Sequence, residues 1–345
     1  MKFIATGCKD GGKDRAMDYI ILDLEWNQAA DSRDERSRML TFEIIEIGAV
    51  KMNSRMEITD SFHELIRPQV YGEMHKITEQ LIHLKMDELA GCRTFEAVAS
   101  DFLKWCKKDF LFCTWGPLDL TELQKNMKFF GMEPLADGPL RYYDVQKLFS
   151  LAFEDGKSRR SLEHAVDFLQ ISKEIPFHRA LADACYTARV FERIKDPGVL
   201  QRVSFDTFCL PANRKAEVHV VFDRYAKYIS RAFEDKEALL ADREVISTRC
   251  YLCHRNLRRK IRWFTPNGKH YYSVSFCAKH GYMKGKIRIK KTDDEKVYAV
   301  KTTKFIPEEE VEDIRQRKDR ARQLRRERRS RERQEEKKNS RRETG

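Results

Sequence analysis

"YIILDLEWNQ" (Tyr19–Gln28) decides the fold, because a run that reads as a buried β-strand carries two carboxylates, Asp23 and Glu25. Tyr19 to Leu22 are aromatic or aliphatic, which suits a central strand covered on both faces. Side chains at i and i+2 of a strand point to the same side. Asp23 and Glu25 therefore stand next to each other where the apolar run stops. Two such anions repel, and burying either one unpaired is costly. The pattern calls for something positive between them.

The surrounding chain alternates strand-like and helix-like stretches over residues 18–200, the mark of an α/β domain. "FEIIEIGAVKM" (Phe42–Met52) and "EITDSFHELIRP" (Glu57–Pro68) read as two strands meeting at the polar turn "NSR". "TFEAVASDFLKWC" places Phe95, Val98, Phe102, Trp105 and Cys106 at helical spacing behind the N-cap candidate Thr94. "FLFCTW" (Phe110–Trp115) is a buried strand ended by "GP", and "SLEHAVDFLQI" and "ALADACYTARVFERI" are helices. Residues 1–17 read as a disordered leader, with Met17 an alternative start. Residues 201–246 read as a helical connector, 247–306 as a basic module and 307–345 as a charged tail.

Charge follows the same divisions. Residues 1–242 hold 35 Lys+Arg against 40 Asp+Glu, whereas residues 243–306 hold 17 against 4 and residues 315–342 hold 15 against 5. An acidic body joined to two strongly basic segments points to a polyanionic partner, nucleic acid ahead of an anionic membrane surface. No apolar segment approaches the roughly 20 residues of a membrane helix. The apolar part of "MKFIATGCKDGGKD" is too short for a signal peptide. Nine scattered cysteines without an export signal fit a reducing compartment, the cytoplasm.

Further carboxylates fall at strand ends and helix starts. Asp119 follows "FLFCTW" in "GPLDLTELQKN", and "PFHRALADA" holds His178 and Asp183. His178 reads as a loop or first-turn residue behind Pro176, with Asp183 facing the sheet from the second turn. Singly, each has an ordinary explanation: a helix-capping Asp, a structural His, an edge-strand Asp-x-Glu. Their conjunction in one α/β chain is more specific.

In this conjunction the sequence resembles the DEDDh 3′–5′ exonucleases of the ribonuclease-H-like superfamily. The phrases "LDLEWN", "IIEIGAVK", "HKIT", "TWGPLDL" and "FHRALADA" are most similar to the branch holding the KapD proteins and the Eri-type RNA exonucleases. The resemblance covers roughly residues 18–200. Trp26 stands where many members have Thr, as it does in that branch. The resemblance implies a ribonuclease-H-like mixed sheet flanked by helices. It also implies that Asp23, Glu25, Asp119 and Asp183 hold two Mg²⁺ or Mn²⁺ ions. In such sites the ions lie about 3.5–4 Å apart and clamp the attacking and leaving oxygens. Oxygen-rich carboxylates suit these hard ions, which also relieve the repulsion between Asp23 and Glu25. His178 is then the general base that takes a proton from the attacking water, a role open to imidazole at neutral pH. Glu25 also faces the terminal 3′ hydroxyl, and Leu24 or Trp26 stacks on or wedges beside the last base, with a core role the alternative for Trp26.

A second pattern begins at Cys250. "CYLC" (Cys250, Cys253) and "CAKH" (Cys277, His280) supply four ligands for one structural Zn²⁺, with His254 able to replace one of them. Between them "RRKIRWFTPNGKHYYSVSF" reads as a hairpin turning at Asn267-Gly268. It mixes cations (Arg258, Arg259, Lys260, Arg262) with rings (Trp263, Phe264, Tyr271, Tyr272), the combination single-strand binders use. Arg262 and Trp263 are the substrate-binding candidates, and a small apolar core is the competing role for the rings. The tail after Pro307 opens like a helix and carries almost no apolar residues. It reads as a solvated helix or disordered arm, either a grip on structured RNA or a ribosome surface or a solubilising extension.

The whole reads as a metal-dependent 3′–5′ exonuclease acting on single-stranded nucleic acid, RNA ahead of DNA, with a zinc-containing β-rich module and no membrane partner. The alternative is a non-catalytic nucleic-acid-binding or regulatory protein that keeps the fold as a scaffold.

Overall fold

The computed structural model describes residues 17–29 and 39–343. The expected leader (1–16) lies outside the described residues. β1 (Asp18–Gln28) runs through the interior of a six-stranded sheet, as its apolar run demands. β2 (Phe42–Met52) and β3 (Ile58–Leu65) join it as an antiparallel meander, and β4 (Phe110–Thr114) lies parallel on its other side. β5 (Leu140–Asp144), parallel to β4, and antiparallel β6 (Ser204–Asp206) complete the order β3-β2-β1-β4-β5-β6.

Parallel neighbours need long crossovers, and helices supply them. α1 (Lys76–Ile82), α2 (Met86–Leu89) and α3 (Phe95–Cys106) precede β4, and α4 (Leu118–Phe129) links β4 to β5. α5 (Val145–Phe153), α6 (Leu162–Phe168), α7 (Ala180–Arg193) and the short α8 (Pro197–Leu200) follow.

Alternation along β1 sorts the core into two layers. Ile20, Leu22 and Leu24 pack with Phe95, Val98 and Phe102 of α3 and Leu120 and Leu123 of α4. Ile21 packs on the opposite face with Val145 and Phe149 of α5 and Ala184, Tyr186 and Phe191 of α7. Asp23 and Glu25 continue the alternation of Ile21, so they face the α7 layer. The first unit, Met1–Cys209, is the mixed sheet flanked by helices that the sequence leads one to expect.

The second unit, Leu210–Gly345, is built on another six-stranded sheet in which each neighbouring pair is antiparallel. Its order is β7 (Val218–Val221), β8 (Ala226–Ile229), β12 (Val297–Ile306), β11 (Gly281–Lys291), β10 (His270–Cys277) and β9 (Arg258–Phe264). Residues 201–246 are therefore not a helical connector. "VHVV" and "AKYI" pair as β7 and β8, β8 docks on β12, and only α9 (Lys236–Ala241), capped by the Asp235 carboxylate, is α-helical in the second-unit part of that stretch. Long-range pairing that a local reading cannot see overrode the helical signal.

The tail forms α10 (Glu308–Glu343), and its first turns are not purely solvated. Val311 and Ile314 pack with Ile261, Val274 and Ile306. A spacing of three places the two apolar residues on one face of an otherwise charged helix. The Tyr282 hydroxyl donates to Glu308 at 2.9 Å and the Lys284 ammonium donates to Glu310, fixing the helix start against β11.

Candidate active site and metal centres

Glu25, Asp23 and Asp183 come together at the end of β1. Each offers a carboxylate oxygen, and these atoms lie within 4.8 Å of one another. α7 delivers Asp183 from its first turn rather than its second, because the helix starts at Ala180. Gly48 allows that approach. It pairs with Asp23 across β1 and β2, and a Cβ on it would stand 2.1 Å from the Ala180 carbonyl carbon and the Leu181 nitrogen. The bare backbone of β2 thus lets the start of α7 rest on the sheet beside Asp23.

Asp119 lies in the first turn of α4, at the end of β4. It is buried and accepts a hydrogen bond from the backbone N–H of Leu24. It is not one of the three carboxylates within 4.8 Å, yet its charge is the largest single electrostatic influence on Asp23 after burial. The charge of Asp119 is thus felt at the cluster of three, by Asp23 and by Glu25.

Burial first, then Asp119, Glu25, Asp183 and Glu46, hold the Asp23 carboxyl well above the usual carboxylate range. Burial followed by the Asp183 charge pushes Glu25 up to about 8. Burial pushes Asp119 up to about 7 against the pull of its backbone hydrogen bonds, and Asp183 up to about 6. The Asp183 Oδ1 is buried with no hydrogen-bond partner among the described residues. Oxygen donors that resist ionising together, one of them orphaned, fit divalent cations that prefer oxygen ligands.

His178 occupies the loop immediately before α7, exposed, at φ +65°. A positive φ is costly for a residue with a Cβ, and such positions cluster at functional sites. Its backbone N–H donates to Asp183 Oδ2 at 3.3 Å, so the loop and the carboxylate hold each other in place.

The family model described as Exonuclease (RNase T) matches residues 20–191. Those residues form an exonuclease domain. Solved structures similar to the chain include the nuclease domain of 3′hExo, a DEDDh family member, bound to rAMP. It is 20% identical, covers 57% of this chain and 100% of its own, and has a TM-score of 0.48. A 3′-exonuclease recognising the 3′ end of a histone mRNA stem-loop is 18% identical over 56% of this chain and 70% of its own, with a TM-score of 0.47. E. coli Exonuclease I in complex with a dT13 oligonucleotide is 12% identical over 52% and 41%, with a TM-score of 0.40. No curated protein matches the chain.

Around the exonuclease site stand residues that the sequence did not single out. Glu46 of β2 is fully buried directly opposite Glu25. It accepts from His63 Nε2 at 2.7 Å and from Arg179 Nε at 3.1 and 3.2 Å on its two oxygens. Arg179, the neighbour of His178, thus ties the loop before α7 to the sheet. A carboxylate inside the apolar run "FEIIEIGAVKM" was the available signal. Asn27, buried after Trp26, donates to the Glu73 carbonyl at 2.8 Å and accepts from His75 N–H at 2.9 Å, holding the "HKIT" segment beside β1.

Leu24 belongs to the core, 3% exposed, so its side chain offers substrate almost no surface and its N–H is the useful group. Trp26 is half-buried, with its ring 5.3 Å from that of Phe42. Its exposed edge leaves both expected roles open to one side chain.

In the second unit, Cys250, Cys253, Cys277 and His280 converge, with all four ligand atoms within 4.8 Å. Cys253 and Cys277 sulfurs are 3.7 Å apart, and His280 Nδ1 lies 3.4 Å from Cys250 Sγ and 3.5 Å from Cys277 Sγ. Zn–S and Zn–N bonds of about 2.3 and 2.0–2.1 Å predict tetrahedral edges of roughly 3.8 and 3.6 Å. The donor set fits zinc. His254 stands outside this cluster, exposed at φ +58°, where its N–H donates to the Cys250 carbonyl at 2.9 Å and shapes the turn.

Trp263 is partly buried rather than presented. Its indole N–H donates to the Ile246 carbonyl at 2.8 Å, and its ring covers Gly285. Tyr271 is likewise core, while Arg258, Arg259, Lys260 and Arg262 remain exposed. The hairpin is therefore a packed sheet with a cationic surface, not a row of free stacking rings.

Proposed function

We propose that this chain is a metal-dependent 3′–5′ exonuclease of the DEDDh type that releases nucleoside monophosphates from single-stranded nucleic acid, RNA in preference to DNA. The observation that carries the reading is the convergence of Asp23, Glu25 and Asp183 within 4.8 Å, with Asp119 beside Asp23 and His178 in the adjoining loop. Asp23, Glu25, Asp119 and Asp183 would together hold two Mg²⁺ or Mn²⁺ ions. Bound there, the ions supply charge stabilisation for the attacked phosphate and the leaving oxygen. His178 takes the proton of the attacking water. Asp183 fixes the His178 loop through its backbone N–H, and Arg179 anchors the same loop to Glu46.

The RNA preference and the placement in the KapD and Eri-type branch rest on "LDLEWN", "TWGPLDL" and "FHRALADA". We assign Cys250, Cys253, Cys277 and His280 to one structural Zn²⁺ that closes β10 onto the Cys250 turn. The exposed cations of β9, Arg262 among them, and the basic half of α10 capture polyanion, structured RNA or a ribosome surface included. The test is digestion of matched 5′-labelled single-stranded RNA and DNA with Mn²⁺, by the parent chain and by Asp183→Asn. A ladder shortening from the 3′ end, faster on RNA and absent in the variant, supports the reading. A ladder shortening from the labelled end, or undiminished activity in the variant, overturns it.

A further inference from the structure

A cavity of about 410 Å³ lies wholly within the second unit, against β7, β8, β12 and the Cys250 turn. Among the lining groups more than nine-tenths buried are Lys301 (6% exposed), Tyr228 (4%) and Glu217 (7%). Lys301 Nζ donates to the carbonyls of Glu244 and Ser247 at 2.5 and 3.4 Å and lies 4.8 Å from the centre of the Tyr228 ring. Burial lowers its pKa to about 8, against the raising influence of Glu244, Asp242 and Glu217. One Glu217 oxygen is held by Arg231 at 2.7 Å. Its Oε2 and the Tyr228 hydroxyl are buried with no partner at full hydrogen-bond geometry among the described residues; the phenol interacts with the Glu217 carboxylate itself, which, after burial, raises the Tyr228 pKa further.

These groups restrict the occupant. An apolar ligand would leave the Glu217–Tyr228 pair with its remaining hydrogen-bonding capacity unmet in a buried place, which costs free energy. A bare anion would suit Lys301 but face the Glu217 charge. The interior asks for a ligand bearing both hydroxyl-type donors and acceptors. At the mouth stand exposed Arg214 and Arg249, which ask for negative charge. Tyr251, between the zinc-ligand candidates Cys250 and Cys253, adds a ring to the wall. Cavities of roughly 300–1,000 Å³ hold small ligands.

We propose that this cavity binds a phosphorylated nucleoside, its sugar or base edge against Glu217, Tyr228 and Lys301 and its phosphate at Arg214 and Arg249. The nucleoside arrives either as one nucleotide of an RNA strand or as a free nucleoside monophosphate. The assignment does not rest on the exonuclease reading, because its residues lie in the other unit and binding is measured without turnover.

The test uses the full zinc-loaded chain carrying Asp23→Asn, so that no strand is degraded. The protein is photolabelled with 8-azidoadenosine monophosphate, and AMP, inorganic phosphate and a short single-stranded RNA compete. Labelling within residues 214–254 that AMP suppresses and inorganic phosphate leaves intact is the expected result. Suppression by RNA as well assigns the site to a strand, and suppression by AMP alone assigns it to the free nucleotide. Arg214→Ala with Arg249→Ala, both at exposed positions, is expected to weaken AMP binding at this site by about tenfold, the loss of a charge-assisted contact. Lys301→Met should abolish it, with zinc content and melting temperature checked in parallel. Label confined to residues 18–193, equal competition by inorganic phosphate, or unchanged AMP affinity in the arginine variant overturns the proposal.

Discussion

Carboxylates held this close oppose their own ionisation, which gives the metal-free protein a pH dependence of defined sign. Asp183, Asp119 and Glu25 titrate at about 6, 7 and 8 in the folded chain, above their values when unfolded. The folded state therefore keeps protons that the unfolded state has lost, and stability falls as pH rises from the ordinary carboxylate range to about 8. Calorimetry should show a falling Tm across that window, a slope shallower in Glu25→Gln and flattened by Mg²⁺; an identical slope in parent and variant contradicts the electrostatic picture. His178→Ala should cost about 10²–10⁴ in kcat, the usual worth of a general base, with Mn²⁺ binding by calorimetry intact. A fully active variant would assign the proton transfer elsewhere. Asp23, Glu25, Asp119, His178 and Asp183 stood out in the sequence because each falls near the end or start of an element and together they match a family pattern; of these, Asp23, Glu25 and Asp183 lie within 4.8 Å of one another. Glu46 left only the signal of a carboxylate in an apolar run, and Arg179 and His63 left none, because their meaning is a contact between β2, β3 and the α7 loop that no local spacing encodes.

At the scale of elements, the site depends on how closely α7 lies on β2. Gly48→Ala would drive a methyl into the Ala180 and Leu181 backbone, which cannot swing aside as a side chain can. The expected cost is the upper end of about 1–3 kcal/mol in stability, read from denaturant unfolding, with activity falling further than that because Asp183 is displaced. Wild-type stability and activity in Gly48→Ala would mean that the approach is not needed. β1 to β4 and the helices α3, α6 and α7 were legible, since each is apolar on at least one face and bounded by turn residues; β5 and α5 were not read. β7 and β8 were not. They are four residues each, too short for a period to show, and owe their form to β8 docking on β12 and β7 on β8. The helical start of α10 was expected, but its packing was not: two apolar residues, Val311 and Ile314, find a sheet face to receive them within a long charged run.

For the whole molecule, charge divides labour between the units. Residues 1–242 are acidic and gather carboxylates at the site proposed to receive a polyanion, whereas residues 243–306 bring 17 Lys+Arg against 4 Asp+Glu. Truncation after Cys209 should therefore raise KM far more than it lowers kcat, because contacts made equally to substrate and transition state are lost. The affinity of the fragment should also depend less on salt between about 50 and 200 mM. Cys250→Ser with Cys253→Ser should reproduce part of this by loosening the second unit, with zinc lost on metal analysis. Equal KM and equal salt slopes in chain and fragment would assign the basic unit another task. The exonuclease claim itself is tested most directly by mononucleotide release from a 3′-labelled single-stranded RNA, with and without Mn²⁺, by the full chain and by Asp23→Asn. Immediate release of labelled nucleoside monophosphate that needs Mn²⁺ and drops at least about 10²-fold in Asp23→Asn is the predicted result. Release without divalent metal, or undiminished in the variant, contradicts it.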